Sequence, residues 1–211
     1  MEILFLKSVD STHTYLKNHI KQSGYQKSLC VATEYQTNGI GSRDNTWEGK
    51  KGNLFFSFVY HKKELPLDIP LQSFSIYFSF MLKMLLEELG SKVWLKWPND
   101  FYIEEKKLGG TITNFSNELI YCGIGINLEN VSSKYGFLDI QIEPQSLLQS
   151  YFLLLEKKIS WKHIFRKYLI EFSKSRDFKT TIKNKKVSLT NATLNEDGSI
   201  TIDKEKVFSL R

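Results

Sequence analysis

Lys96-Trp97-Pro98-Asn99-Asp100, followed at Lys107 by Leu108-Gly109-Gly110, is the stretch from which the rest of the chain is most readily placed. Residues 93–97 read as an apolar strand. Pro98 stiffens the corner after it, and Asn99 and Asp100 follow on that rigid turn. A lysine near the end of an apolar strand is costly to bury unless an anion pairs with it, so Lys96 calls for a carboxylate or phosphate partner. Residues 101–105, 110–116 and 119–126 continue as strands joined by tight turns, which favours antiparallel pairing. Lys107 arrives beside a glycine pair, where backbone can approach a ligand closely. Two cations with a carboxylate and an amide suit the handling of a nucleotide phosphate and its metal.

Working outward from this hairpin, residues 3–7 read as a first strand. Asp10-Ser11-Thr12 offers N-cap chemistry for a helix carrying Tyr15, Leu16, His19 and Ile20 and stopping at Gly24. Residues 29–36 form a strand rich in β-branched and aromatic residues. Residues 37–52 are a long polar stretch holding Gly39, Gly41, Gly49 and Gly52, and a loop of that length in a compact domain is usually functional or mobile. Residues 53–60 are a strongly apolar strand, and Pro70 opens a long helix ending near Gly90. Two further helices are expected at 144–158 and 161–174. After Arg176 the texture changes to short alternating strands around Asn184-Lys185 and Asp197-Gly198. The expected fold class is α+β. Residues 1–176 make a mixed β-sheet with packed helices, and residues 177–211 a small β-barrel-like tail that is too small to be stable alone.

Composition narrows the function. The 211 residues are 41% hydrophobic and 14% aromatic, ample for a packed core. The net charge of +6 favours anionic ligands but is spread along the chain, and its densest cluster is only Lys183, Lys185 and Lys186. No arginine-rich arm, zinc-spaced cysteine set or helix-turn-helix pattern points to DNA. Cys30 and Cys122 lie in separate apolar runs and read as buried reduced thiols. The first seven residues lack the pattern of a secretory signal. The most apolar long segment, 71–89, contains Gln72, Lys83, Glu87 and Glu88, which makes it a buried helix rather than a membrane span. A cytoplasmic protein with no DNA or membrane partner is expected.

Three further motifs carry chemistry. The hydroxyls of Ser11 and Thr12 can cap a helix and also face a neutral polar ligand, since each donates or accepts a hydrogen bond. Gln36, Gly39, Gly41 and Trp47 punctuate the polar loop, where glycines bring backbone N–H groups close to an anion. Trp47 lies at the end of that polar loop, where packing on the core is the plain reading of an indole. Gly123-Ile124-Gly125-Ile126-Asn127 ends an apolar strand, either as a bulged core strand or as a wall that lets a ligand approach.

Together, K-W-P-N-D, a short hairpin, K-L-x-G, the Ser11-Thr12 pair and the G-x-G-I-N run resemble the biotin–protein ligase family. The resemblance extends from residue 3 to 211. It implies a class II aminoacyl-tRNA-synthetase-like catalytic core with a C-terminal SH3-like β-barrel. It also implies that Ser11, Thr12, Gln36, Gly39, Gly41, Lys107, Gly110 and Gly123 surround biotin. Arg43, Trp47, Lys96, Asn99, Ile126 and Asn127 fall on the nucleotide side, and Asp100 on Mg²⁺. Lys107 and Arg43 are the implied catalytic cations. The polar loop departs from the family pattern: Ile40, Ser42, Asp44 and Asn45 stand where Arg, Arg, Gly and Arg are usual, and Arg43 alone survives as a cation in that segment.

The implied activity joins biotin to ATP, releasing pyrophosphate, and then transfers it from biotinyl-5′-AMP to a lysine of the biotin carboxyl carrier protein of acetyl-CoA carboxylase. A lipoate or octanoate ligase of the same fold is the alternative. A repressor form with an N-terminal DNA-binding domain is not expected, because the first family strand begins at Ile3. Either a monomer or a homodimer is compatible with the sequence.

Overall fold

The computed structural model describes residues 1–41, 52–130, 134–183 and 185–208, together with the backbone of 46–47. The elements run β1 (Glu2–Leu6), α1 (Thr12–Ser23), β2 (Leu29–Thr33), β3 (Gly39–Ile40), β4 (Thr46–Trp47), β5 (Asn53–His61), α2 (Phe74–Glu88), β6 (Trp94–Lys96), β7 (Asp100–Ile103), β8 (Lys106–Ser116) and β9 (Leu119–Asn127). They continue with α3 (Pro144–Glu156), α4 (Trp161–Glu171), β10 (Lys179–Ile182), β11 (Lys185–Ser188), β12 (Thr193–Leu194), β13 (Ile200–Ile202) and β14 (Glu205–Val207). Seven strands form one sheet in the order β1-β2-β5-β9-β8-β7-β6. Only β1 and β2 pair in parallel; every other neighbouring pair is antiparallel, so the sheet is mixed as expected.

Alternation along β5 and β9 decides which face is covered by what. Phe56 and Phe58 with Cys122 and Ile124 point into the main core, where they meet Tyr151 and Phe152 of α3 and Phe78 of α2. Phe58 meets Phe78 edge-on at a centroid separation of 4.9 Å, a geometry worth roughly 0.5–1.5 kcal/mol beyond area burial. On the opposite face Val31, Val59 and Tyr121 pack under Leu16 and Ile20 of α1. α1 is short and covers only one end of that face. The remainder is left to the cavity described below.

Several expected boundaries move, each for a local reason. The 29–36 strand ends at Thr33, because Gln36 instead makes an isolated parallel bridge with Val9 and turns its side chain to Thr12. The helix opened by Pro70 begins as a 3₁₀ turn, Leu71–Ser73, before α2 proper. β8 starts at Lys106, four residues earlier than expected, because the hairpin turns at Glu104, whose φ is 50°. Lys107 is therefore a strand residue, and the register shift between Phe101 and Tyr102 absorbs Leu108 as a bulge. The tail is two small antiparallel sheets, β10-β11 and β12-β13-β14. Among the described residues no strand pairing joins the two sheets, so the expected barrel is not closed by hydrogen bonds.

Candidate active site

One transverse row of the sheet builds the site. Lys96 pairs with Asp100, Asp100 with Gly110, Gly110 with Gly125, and Gly125 with Phe55. A second row on the same face runs Ile112, Gly123, Ser57. Directly paired residues project to the same side, so three glycines in two adjacent rows cut a trough into the sheet. The result is a cavity of about 370 Å³, in the range used for small ligands.

The end of the trough under α1 is neutral. Ser11 is the N-cap of α1, its hydroxyl accepting from the backbone N–H of Thr14. Gln36 Oε1 accepts both the backbone N–H of Thr12 at 2.7 Å and its Oγ1 at 3.0 Å. With Thr12 donating to Gln36, the 2.9 Å contact between Thr12 Oγ1 and Ser57 Oγ is donated by Ser57, which leaves Ser57 lone pairs for another donor. His13 sits beside them. Its Nε2 meets Asn114 Oδ1 at 2.7 Å, and its Nδ1 is buried without a partner among the described residues. Burial is the main cause that lowers its pKa to about 4; the Asn114 bond opposes the shift and nearby Lys17 adds to it. A Cβ on Gly123 would lie 3.1 Å from Ile112 Cγ1, 3.2 Å from Ser57 Oγ and 3.3 Å from His13 Nδ1, so a side chain there would crowd this end.

The other end is charged. Asp100 lies between two lysines, with Lys107 Nζ at 2.8 Å from Oδ1 and Lys96 Nζ at 3.8 Å from Oδ2. Lys96 is buried, with its ammonium 5.5 Å from the centre of the Tyr102 ring. Burial, with a smaller contribution from the Asp100 charge, pushes the Tyr102 phenol up to about 12. Lys107 is half-buried and reaches the cavity.

β6 is the sheet edge, and side chains stand in for the missing neighbour. Leu95 N–H donates to Glu171 Oε1 at 3.2 Å and Trp97 N–H to Ser175 Oγ at 2.9 Å. Tyr168 Oη donates to Pro98 O at 3.0 Å. The Glu171 carboxylate is itself held by Lys83 Nζ at 3.1 Å. α4 and the turn after it thus cover the exposed edge and lock the corner on which Asp100 stands.

Of the residues singled out in the sequence, the cavity brings together Ser11, Thr12, Gln36, Gly41, Asp100, Lys107, Gly110, Gly123 and Asn127. Gly39 lies one residue outside the lining, paired with Trp47 in the β3-β4 ladder. Lys96 reaches the cavity only through Asp100. Asn99 is fully buried and donates its Nδ2 to Thr111 O at 2.6 Å, which ties the corner to β8. Asn127 donates to Gly136 O at 3.0 Å, and Gly136 N–H donates to Lys107 O at 2.9 Å, so Asn127 secures the segment laid over β8. Ile126 is buried in the core. Arg43, Ser42, Asp44 and Asn45 lie outside the described residues, as does the side chain of Trp47. His13, Ser57, Thr111 and Tyr135 also line the cavity and were not singled out in the sequence. Ser57 carried a readable signal, a lone small polar residue in the apolar run of β5.

Asp100 is the sole acidic side chain on the cavity wall among the described residues, and no cluster of three or more metal-ligating groups occurs among them. One carboxylate suits Mg²⁺ arriving on nucleotide phosphates, which keeps most of its waters.

Residues 5–127 match the family model described as "Biotin/lipoate A/B protein ligase family". The chain is similar to the bifunctional ligase/repressor BirA of Escherichia coli, 33% identical over 135 residues that make up 60% of this chain and 40% of that protein. It is 30% identical over 131 residues to biotin–protein ligase 2 of Arabidopsis thaliana, covering 58% of this chain and 39% of the relative. The chain thus spans about 40% of the length of these curated relatives. Among solved structures, the biotin acetyl coenzyme A carboxylase synthetase of Helicobacter pylori with bound biotinylated ATP superposes with a TM-score of 0.93 at 36% identity, covering 98% of this chain and 99% of that one. The biotin protein ligase of Aquifex aeolicus in complex with biotin and ATP shares the fold, with a TM-score of 0.75 at 22% identity.

Proposed function

Because the chain belongs to the biotin/lipoate A/B protein ligase family, we propose that it is a biotin–protein ligase, attaching biotin through biotinyl-5′-AMP to a lysine of the biotin carboxyl carrier protein of acetyl-CoA carboxylase in the cytoplasm. The observation that carries this reading is the single trough with one neutral and one cationic end. A ureido ring needs hydroxyls and amides that donate and accept, and a nucleotide needs cations. The two ends supply them on one face of the sheet.

In this reading the ureido ring lies among Ser11, Thr12, Gln36 and Ser57, and the valeryl chain runs over Gly123 and Gly110 toward Lys107. A biotin carboxylate oxygen attacks the α-phosphorus of ATP, the bond from that phosphorus to the bridging oxygen breaks, and pyrophosphate leaves with the electron pair. Lys107 exchanges its Asp100 contact for the reacting phosphoryl oxygens and stabilises their growing charge. Lys96 stays buried behind Asp100, its ammonium 3.8 Å from the carboxylate. Asp100 would hold Mg²⁺ arriving with ATP, and the ion would neutralise phosphate charge there. In the second step the carrier lysine amine attacks the acyl carbon, the anhydride C–O bond breaks, AMP leaves, and the ammonium proton passes to solvent. No covalent enzyme intermediate is needed, and the two cysteines are buried with thiols pushed up by burial, which suits neither for nucleophilic work.

Incubation with biotin, Mg-ATP and an apo carrier domain tests the proposal by mass spectrometry. One biotinyl increment on the carrier is expected. Pyrophosphate exchange that depends on lipoate or octanoate rather than biotin would overturn it.

A further inference from the structure

Three consecutive carbonyls in the tail are each read by a side chain of the main body. Trp161 Nε1 donates to Glu196 O at 2.8 Å, Ser73 Oγ donates to Asp197 O, and Trp97 Nε1 donates to Gly198 O at 2.9 Å. Backbone carbonyls in a turn ordinarily face water, so three successive indole and hydroxyl partners mark a built seat. The turn has no slack in it. Gly198 has φ 75°, and a Cβ there would fall 2.8 Å from Ile76 Cδ1 and 2.9 Å from Ser73 Oγ. Asp197 braces the turn internally by accepting from Ser199 N–H at 3.1 Å, and it holds Lys206 Nζ of β14 at 2.7 Å.

One of the three readers is the tryptophan between Lys96 and Pro98. Trp97 is 2% exposed, its backbone N–H is held by Ser175, and its other side borders a cavity shared with Thr181, Ile182, Glu205 and Val207 of the tail. The indole is therefore held by the tail at its N–H and borders a cavity walled by tail residues, while Trp97 itself stands between Lys96 and the Pro98 corner that leads to Asp100.

We propose that the Glu196–Gly198 turn is a positioning element for the charged end of the site: by holding the Trp97 indole it sets the Lys96–Asp100–Lys107 cluster, and it leaves the neutral end untouched. The inference rests on the reading of that charged end as the nucleotide side. It makes the tail part of the catalytic machinery's geometry rather than an appendage.

The comparison of Trp97→Phe with Trp161→Phe tests it. Each variant keeps an aromatic ring and deletes one indole N–H to the same turn, but only the first lies on the active-site corner. In biotin-dependent pyrophosphate exchange, Trp97→Phe is expected to impair kcat/KM for ATP about tenfold to a hundredfold, the scale of a small misplacement of reacting groups. Its Kd for biotin should stay within about twofold of the native value. Trp161→Phe loosens the same turn two residues away from the Trp97 bond, so it should impair ATP use in the same parameter but less. Asp197→Ala, which loosens the turn from its far side, should impair ATP use in the same parameter as Trp97→Phe and decides the matter if Trp97→Phe does not fold. A loss of biotin affinity as large as the loss in ATP use, or native ATP kinetics in Trp97→Phe or Asp197→Ala, would overturn the proposal. Absence of biotin-dependent exchange in the native chain is a different result, and it would remove the functional reading itself.

Discussion

The two ends of the trough are built in opposite ways. The charged end comes from one hairpin: Lys96, Asp100, Lys107 and Gly110 lie within fifteen residues of one another, and adjacent strands pair Asp100 with both Lys96 and Gly110. The neutral end is assembled from the N-terminus of α1, the bridge residue Gln36, Ser57 of β5 and Gly123 of β9. The first is electrostatic and braced by α4 and the tail. The second is a relay of uncharged groups in which each hydroxyl has its direction set by the last. A contiguous site tolerates little change in its corner, whereas a dispersed one is open to damage from any of four elements but in smaller steps.

The largest effect should come from removing the one cation that reaches the cavity from the hairpin. Lys107→Ala is expected to slow biotinyl-adenylate formation about 10²–10³-fold, the scale of losing one preorganised charge donor, while the Kd for biotin measured by calorimetry changes little. Asp100 keeps Lys96, so the fold should stand. Near-native adenylate formation would break the division of labour between the two ends.

The same contrast governs what could be read in advance. The antiparallel hairpins, the strongly apolar strand at 53–60 and the charged end were legible because their signals are local: a run of apolar residues, a proline corner, lysines at short spacing. Ser11 and Thr12 were legible for the same reason, as a cap. Gln36 was placed, but not the fact that reaching Thr12 ends β2 at Thr33, since that competition depends on a contact 24 residues away. Asn99 sits at the expected corner, yet its amide ties backbone together behind the cavity wall, and Asn127 lines the cavity while its amide also holds Gly136 O. An asparagine's spacing along the chain carries no record of which carbonyl will lie beside it. Ser57 and His13 were missed because each owes its position to a neighbouring strand or helix. The tail's turn was visible as Asp197-Gly198, but the indoles that receive it come from 101 and 35 residues away in sequence.

The neutral end also has to stay neutral, and His13 shows the cost of charging it. Its folded pKa of about 4 lies below the ordinary 6.5, so the unfolded chain binds the proton more readily between those values. The contribution is fully present above pH 6.5 and is lost as pH falls toward 4, reaching on the order of 3 kcal/mol. Lys17, the cation that shares Asn114 with the ring, pushes in the same direction. Melting curves at pH 7 and pH 5 should show a destabilisation on acidification in the native chain that is largely absent in His13→Gln. An identical pH dependence in both would mean the ring is charged or solvated at this end.

The smallest expected effect sharpens the comparison most, because it is confined to one atom. Thr12→Val keeps the shape of the side chain and deletes the hydroxyl that links Gln36 to Ser57. Gln36 Oε1 retains the backbone N–H of residue 12, so the bridge that ends β2 survives. What is lost is direction: Ser57 no longer has an acceptor to point at, and its hydroxyl becomes free to turn toward the ligand as a donor. A buried ligand group that had met a lone pair there would meet a hydrogen instead. An increase of about tenfold in the Kd for biotin is expected, the usual cost of one mismatched buried hydrogen bond. At saturating biotin the rate of adenylate formation should return to the native level, because nothing at Asp100 or Lys107 has moved. A fall in that saturated rate would show that the two ends are coupled through the sheet and that the trough acts as one unit.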